Sequence, residues 1–238
     1  MPLCICGLAK PTAISRRVLI LQHPQEPDKV LGSATLAHRM LPSSRLVVGL
    51  SWPNLSAAWG EPVDQKRWGV LYLGSGPVFG DAVPGESKGS GVGSKSGPGA
   101  IPKSLSGVIA VDKKGRALDV DPLRLGRDLD GIVVLDGTWS QAKAIWWRNA
   151  WMLKLQRIVL VPRSVGLYGD LRREPRREAV STIEAIAEVL EGIGESADQT
   201  ALLKSAFRQH LDQFRASRAS KAPAPIGRTA KPEPEPTS

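Results

Sequence analysis

A short apolar run at residues 132–135 ends at a carboxylate, Asp136, and no other feature of the sequence limits the possible folds as strongly. A run this short and this apolar is typical of a strand that is buried on both faces. Gly137 then permits a tight turn, and Thr138 or Ser140 can cap a following helix. Because ligands bind beyond the carboxyl ends of strands in open α/β sheets, Asp136 is predicted to lie where chemistry takes place.

The helix predicted after this turn is rich in tryptophan. Four of the seven tryptophans lie within thirteen residues, namely Trp139, Trp146, Trp147 and Trp151. An ordinary surface helix does not carry so many. For Trp139 two roles are open, which are stacking on a planar ligand and packing of the helix onto the sheet.

Similar apolar segments recur along the chain and alternate with helical patterns. The predicted strands are residues 18–21, 46–50, 69–73, 107–111, 132–135 and 157–161. Helices are predicted at 33–41, where Ser33 is the expected cap, from residue 181 onward, and at 199–214. This alternation predicts an α/β fold, in which helices flank a mainly parallel sheet.

The positive charge of the chain is unevenly distributed. The formal net charge is +9, and the window from Lys143 to Arg177 holds nine Lys or Arg residues but only two acids, Asp170 and Glu174. Such a surface favours an acidic partner, with nucleic acid preferred over a membrane. Because no apolar run approaches a membrane span and the start lacks a secretory pattern, we expect a cytoplasmic protein without a membrane partner.

Two cysteines, Cys4 and Cys6, are too few for a disulfide framework. A tetrahedral zinc site needs four ligands, and no second cysteine pair exists. His23 has no spacing that marks it as a further ligand. We therefore expect no metal, with the two residues being plain thiols or the remnant of a truncated site.

The composition also predicts the domain limits. Residues 80–106 are dominated by Gly, Ser and Pro and are predicted to form a flexible insertion, while residues 216–238 are predicted to form a disordered tail. One domain is expected over residues 1–215. The motif that binds phosphates in P-loop nucleoside triphosphatases is absent from the sequence.

The last part of this domain contains two polar segments. Arginines around Pro175 are predicted to be displayed from a loop, where they can bind phosphate, although a solvated face paired with Glu174 and Glu178 is the alternative. Ser181 and Glu184 have the spacing of a capping box. The hydroxyl-rich start of that helix would also suit a carboxylate ligand, and the two roles are compatible.

Together these motifs resemble the DTW-domain family, whose members are similar to tRNA-uridine aminocarboxypropyltransferases. The resemblance rests on DGTW at 136–139 with QA at 141–142, on RREP at 172–175, and on STIEA at 181–185. His23, Pro24 and Glu26 resemble a further family motif, as do Tyr72 and Gly74. The resemblance implies a SPOUT-like fold, in which the sheet is threaded into a knot that cradles S-adenosylmethionine.

The family resemblance further implies transfer of the 3-amino-3-carboxypropyl group of S-adenosylmethionine to N3 of a tRNA uridine. Asp136 is the expected base, Thr138 is expected to bind a polar edge, and Trp139 is expected to stack on a ring. The residues expected to bind the cofactor are Leu135, Gly137, Tyr72, Gly74, Ser181, Thr182 and Glu184. The residues expected to bind tRNA phosphates are Lys143, Arg148, Arg172, Arg173, Arg176 and Arg177.

Two other activities remain open from the sequence. One is a SPOUT-type RNA methyltransferase, which would use the same cofactor but transfer its methyl group. The other is a non-catalytic RNA-binding protein, in which the tryptophans and arginines only bind.

Overall fold

Six strands form a single sheet in the computed structural model, which describes residues 4–71, 107–162, 166–171 and 180–220. The strands are β1 (Arg17–Gln22), β2 (Ser44–Val48), β3 (Trp68–Leu71), β4 (Gly107–Val111), β5 (Gly131–Asp136) and β6 (Gln156–Val161). Their order across the sheet is β2-β1-β5-β3-β6-β4. All neighbouring pairs are parallel except β4 and β6, which are antiparallel.

Six α-helices accompany this sheet in the described residues. They are α1 (Ser33–Met40), α2 (Leu55–Trp59), α3 (Pro122–Asp128), α4 (Trp139–Arg148), α5 (Thr182–Gly192) and α6 (Ala197–Ala219). Short 3-10 turns occur at Gln65–Arg67, Ala150–Lys154 and Gly169–Leu171. The prediction of a mainly parallel α/β sheet flanked by helices is confirmed.

Alternate side chains of the central strands enter two separate cores. In β5, Ile132 and Val134 belong to the core that contains α1, α5 and α6, whereas Val133 and Leu135 belong to the core that contains α2 and α4. Burial on both faces explains why the sequence of β5 is a continuous apolar run rather than an alternating one. Asp136 follows the parity of Ile132 and Val134, so its side chain lies on the α5 side of the sheet.

Many bounds differ slightly from the predictions, and three of the differences concern β2, the cap of α1 and the end of α6. β2 covers residues 44–48 rather than 46–50. The cap of α1 is Gly32 and not Ser33. The Ser33 hydroxyl accepts a hydrogen bond from the Ile183 amide at 3.4 Å, so it does not cap its own helix. α6 continues to Ala219, so residues 216–219 are helical although they were assigned to the disordered tail. The insertion at 80–106 and the rest of the tail, 221–238, lie outside the described residues.

Within residues 4–71, 107–162, 166–171 and 180–220, no helix is both long enough and apolar enough to cross a bilayer.

Candidate active site

The carboxyl end of β5 holds a buried carboxylate. Asp136 is the last residue of the strand, and only 6% of it is exposed. The parallel register places Gln22, the last residue of β1, opposite Asp136. The Gln22 side-chain amide donates a hydrogen bond to Asp136 Oδ2 at 2.9 Å. One oxygen of the carboxylate is therefore held by the neighbouring strand.

The other oxygen of this carboxylate is held by α5. The hydroxyl of Thr182, the first residue of that helix, donates a hydrogen bond to Asp136 Oδ1. Asp136 and the start of the 181–185 motif therefore lie together. Since the two donors come from different elements, the carboxylate has a fixed orientation.

The turn from β5 to α4 depends on a glycine and a capping box. A Cβ on Gly137 would lie 2.9 Å from Gln141 Cβ, which is too close for any other residue. The Gln141 side-chain oxygen accepts a hydrogen bond from the Thr138 amide at 2.6 Å, and the Thr138 hydroxyl accepts one from the Gln141 amide at 3.4 Å. Thr138, rather than Ser140, is therefore the cap of α4.

The tryptophans of this region divide into buried and exposed pairs. Trp146 and Trp151 are buried in the α4 core, and the Trp151 indole donates to the backbone oxygen of Trp52 at 3.0 Å. Trp139 is 37% exposed, and the Lys143 ammonium lies 5.6 Å from the centre of a Trp139 ring. Trp147 is more exposed still. Trp139 is therefore only partly packed against the rest of the chain.

The capping box predicted at the start of α5 is present. Glu184 Oε2 accepts hydrogen bonds from the Ser181 amide at 3.0 Å and from the Ser181 hydroxyl at 2.6 Å. Glu184 Oε1 accepts one from the Leu167 amide at 2.8 Å. Both residues are buried. In this arrangement Ser181 and Glu184 position Thr182, which is the residue of this motif that contacts Asp136.

The loop after β1 is attached to the same edge of the sheet. The His23 amide donates to the backbone oxygen of Asp136 at 3.0 Å, and the Gln141 side chain donates to Gln25 Oε1 at 3.0 Å. Glu26 is buried, and the Lys29 ammonium lies 2.5 Å from its carboxylate. The segment with His23, Pro24 and Glu26, which resembles a further family motif, therefore borders the Asp136 site.

The remaining predicted ligand residues have different positions. The Leu135 side chain is buried in the core beside α4, on the opposite face of the sheet from Asp136. Lys143 lies on α4 beside Trp139, and Arg148 is exposed at the end of that helix. The following predicted site residues lie outside the described residues: Tyr72, Gly74, Arg172, Arg173, Arg176 and Arg177.

The two cysteines are exposed. The Cys6 amide donates to Cys4 Sγ at 3.5 Å, and hydrogen bonding with Cys6 lowers the pKa of the Cys4 thiol. In the part of the chain that the structure describes, no group of three or more His, Cys, Asp or Glu residues is arranged to hold a metal ion.

Gln22 is a site residue that the sequence predictions did not include. Its signal was weak, because one polar residue at the end of a strand also occurs where a strand simply reaches solvent. Gln22 is nevertheless only 2% exposed. A buried amide that follows a buried apolar run is the same pattern that drew attention to Asp136.

Comparison with known proteins places these residues in a family. The family model described as DTW domain matches residues 1–215. The chain is 27% identical over 191 residues to tRNA-uridine aminocarboxypropyltransferase 2 of Macaca fascicularis, which covers 79% of this chain and 51% of that protein. It is 26% identical over 184 residues to the protein of the same name from Drosophila melanogaster, and the match covers 76% of this chain and 57% of that protein.

The chain therefore spans about half the length of the curated relatives it matches. No solved structure matches it. The match of the family model to residues 1–215 includes the whole Asp136 site, and this chain belongs to the DTW-domain family.

Proposed function

We propose that this protein transfers the 3-amino-3-carboxypropyl group of S-adenosylmethionine to N3 of a uridine in tRNA. The observation that carries the proposal is the contact between Asp136 and Thr182, which joins the DGTW motif to the STIEA motif. The relatives are named tRNA-uridine aminocarboxypropyltransferase 2, which supports transfer of an aminocarboxypropyl group to a uridine. The same name makes the proposal specific to tRNA rather than to nucleic acid in general.

Asp136 is the residue proposed to act as the base. N3 of uracil carries a proton, so it becomes nucleophilic only when a base removes that proton. The carboxylate lies at the carboxyl end of a central strand, and Gln22 and Thr182 hold one oxygen each. A carboxylate fixed in this way keeps one orientation toward an approaching base edge. S-adenosylmethionine, when bound, would supply the group that N3 accepts.

The residues at this edge fit such a ligand by their chemistry. The partly exposed indole of Trp139 offers a flat surface for adenine or the target base. The first turn of α5 presents the positive end of a helix dipole, which suits the carboxylate of an amino-acid group. Because the sulfonium is already cationic and its leaving thioether is neutral, correct alignment matters more than stabilisation of a new charge.

The proposed RNA contacts lie on the basic part of the chain. Lys143 and Arg148 are placed on α4, which begins directly after the Asp136 turn. The four arginines of 172–177 are proposed to bind further phosphates. A uridine must leave its stack to reach a buried carboxylate, so an unpaired loop is the proposed substrate rather than a duplex.

The same proposal includes the finer features of the fold and the cell compartment. We infer a SPOUT-like threading of the sheet around the cofactor, one domain over residues 1–215 and action on tRNA in the cytoplasm. A crystal structure with bound S-adenosylmethionine would test the threading, since a knotted sheet would enclose the cofactor near the ends of β5 and β6.

The decisive experiment is nucleoside mass spectrometry of tRNA incubated with the protein and S-adenosylmethionine. We expect uridine that carries the aminocarboxypropyl group, and we expect Asp136→Asn to abolish it while tRNA affinity is retained. Asp119→Asn is the matched control, because it makes the same chemical change at an exposed site between β4 and α3. Methylated uridine would instead identify a methyltransferase, and tRNA binding without any modification would identify a non-catalytic binding protein.

A further inference from the structure

Trp147 has no role in the proposed chemistry, yet it is the most exposed large apolar side chain in the described part of the chain, at 78%. Exposure of a whole indole to water is unfavourable, since the ring buries a large apolar area when it finds a partner. Trp147 lies on α4, the helix that begins beside the proposed base.

The outer face of α4 carries an aromatic and basic stripe. Trp139, Lys143 and Trp147 are spaced four residues apart, so they lie on one side of the helix at intervals of about 6 Å. The opposite side of α4 is buried against the sheet through Ala142, Ile145 and Trp146. The Lys143 ammonium already lies over the Trp139 ring. We call these three residues the α4 stripe.

The surroundings of the α4 stripe are basic. From residue 137 to residue 169 the sequence has five Lys or Arg residues and no acid. Arg148 is exposed next to Trp147. An indole with Lys143 one turn before it and Arg148 next to it is complementary to a base attached to phosphates and less so to an apolar protein surface.

We propose that the α4 stripe binds an unpaired nucleotide of the RNA substrate, whose base stacks on Trp147 while Lys143 and Arg148 hold the flanking phosphates. The inference rests on the proposed function, because the reacting uridine is placed at Asp136 and the adjoining RNA nucleotides then follow α4 away from the sheet. Trp147 therefore determines affinity for unpaired RNA and takes no part in group transfer.

The test compares the binding of two RNA probes to Trp147→Ala, Trp147→Phe and the unchanged protein. We expect Trp147→Ala to weaken affinity for an unpaired RNA oligonucleotide about 5- to 30-fold, since one stacked base is lost. Affinity for a fully paired RNA duplex should change much less. Trp147→Phe retains an aromatic face and should recover most of the loss.

Two controls make the comparison interpretable. Leu202→Ala removes another exposed apolar side chain, on α6 and on the other side of the sheet, and should bind RNA like the unchanged protein. Thermal unfolding should give the same melting temperature for all variants, because Trp147 is not part of a core.

Different results separate the inference from the proposed function. Equal affinity of Trp147→Ala and the unchanged protein for unpaired RNA would overturn the α4 stripe, whether or not tRNA is modified. If Trp147→Ala instead lost binding to vesicles of phosphatidylcholine and phosphatidylserine while RNA affinity stayed the same, the stripe would be a lipid-binding surface and the inference would be wrong. Absence of modified uridine with the unchanged protein would overturn the transferase proposal alone, since Trp147-dependent RNA binding is measured independently.

Discussion

At the scale of single residues, the site is defined by how one carboxylate is held. Asp136 is buried at the end of β5, and its two oxygens accept hydrogen bonds from Gln22 and from Thr182. A hydrogen bond to a charged group contributes more than one between neutral groups, roughly 1.5–3 kcal/mol. Loss of either donor should therefore misplace the carboxylate even though Asp136 itself remains.

Substitution of Thr182 can remove its hydrogen bond to Asp136 with little change in the shape of the side chain. Thr182→Val keeps the shape of the side chain but removes the hydroxyl, and we expect the rate of modified-uridine formation to fall about 10-fold or more. Thr182→Ser keeps the hydroxyl and should retain most of the rate. Quantification of the modified nucleoside over time provides the measurement. Full activity of Thr182→Val would mean that its contact with Asp136 has no part in the reaction.

At the scale of elements, the two helices beside the site start in the same way. α4 begins with the Thr138 and Gln141 capping box, and α5 begins with the Ser181 and Glu184 capping box. Each cap fixes the first turn of a helix at the edge of the sheet where Asp136 lies. Precise helix starts therefore contribute to the site as much as the side chains that line it.

Gly137, at the boundary between β5 and α4, tolerates substitution poorly. In Gly137→Ala the added Cβ would lie 2.9 Å from Gln141 Cβ, so the capping box of α4 has to shift. We expect a loss of about 1 kcal/mol or more in the free energy of unfolding, together with lower activity. Urea denaturation would measure the loss. Gly7→Ala is the control, because a Cβ there meets nothing within 4 Å and should leave stability unchanged.

The elements also show why part of this arrangement could be predicted from sequence and part could not. β1 and β5 were predictable because burial on both faces produces continuous apolar runs. α2 and α3 were missed, since helices of 5 and 7 residues are too short to display a clear period. The hydrogen bond from Thr182 to Asp136 joins positions 46 residues apart, and only the packing of α5 on the sheet creates it.

At the scale of the whole molecule, the two ends of the sheet carry different features. The carboxyl ends of β1 and β5 carry the candidate site, while the amino ends of β3 and β5 are joined by an ion pair. Arg67 Nη2 lies 2.7 Å from Asp130 Oδ1, and the Asp130 amide donates to the Arg67 backbone oxygen at 2.6 Å. Stability and activity can therefore be perturbed separately.

This ion pair predicts a pH dependence of stability. The hydrogen bond from Arg67 lowers the pKa of the Asp130 carboxyl below its unfolded value of about 3.9. Its contribution is therefore present at neutral pH and is lost as pH falls below about 4. At pH 7, Asp130→Asn should have a slightly lower melting temperature than the unchanged protein. The difference should be small because the pair is partly exposed. It should shrink toward pH 3.

Thermal unfolding across this pH range provides the measurement for Asp130→Asn. Asp119→Asn should follow the unchanged protein at every pH, because Asp119 is exposed and lies outside this pair. If the difference in melting temperature for Asp130→Asn grew toward low pH, the conclusion that Arg67 lowers the pKa of Asp130 would be contradicted.

The basic surface predicts how tRNA binding responds to salt. Each cation that contacts a phosphate releases counterions, so Lys143→Ala and Arg148→Ala should each reduce the slope of log affinity against log salt by about 1. Arg208→Ala, an exposed change on α6 at the opposite face of the sheet, should leave the slope unchanged. Filter binding at several salt concentrations would show the difference. If Lys143→Ala and Arg148→Ala both gave the slope of the unchanged protein, α4 would be excluded from the RNA interface.

The contact between Asp136 and Thr182 has a consequence for synthesis of the chain. Gln22 is made first of the three, Asp136 follows, and Thr182 is made last, yet all three are needed to hold one carboxylate. A nascent chain that has not yet released α5 from the ribosome lacks one of the two donors. Newly made protein therefore acquires an ordered site only after α5 has been made, and fragments that stop before residue 182 should be inert.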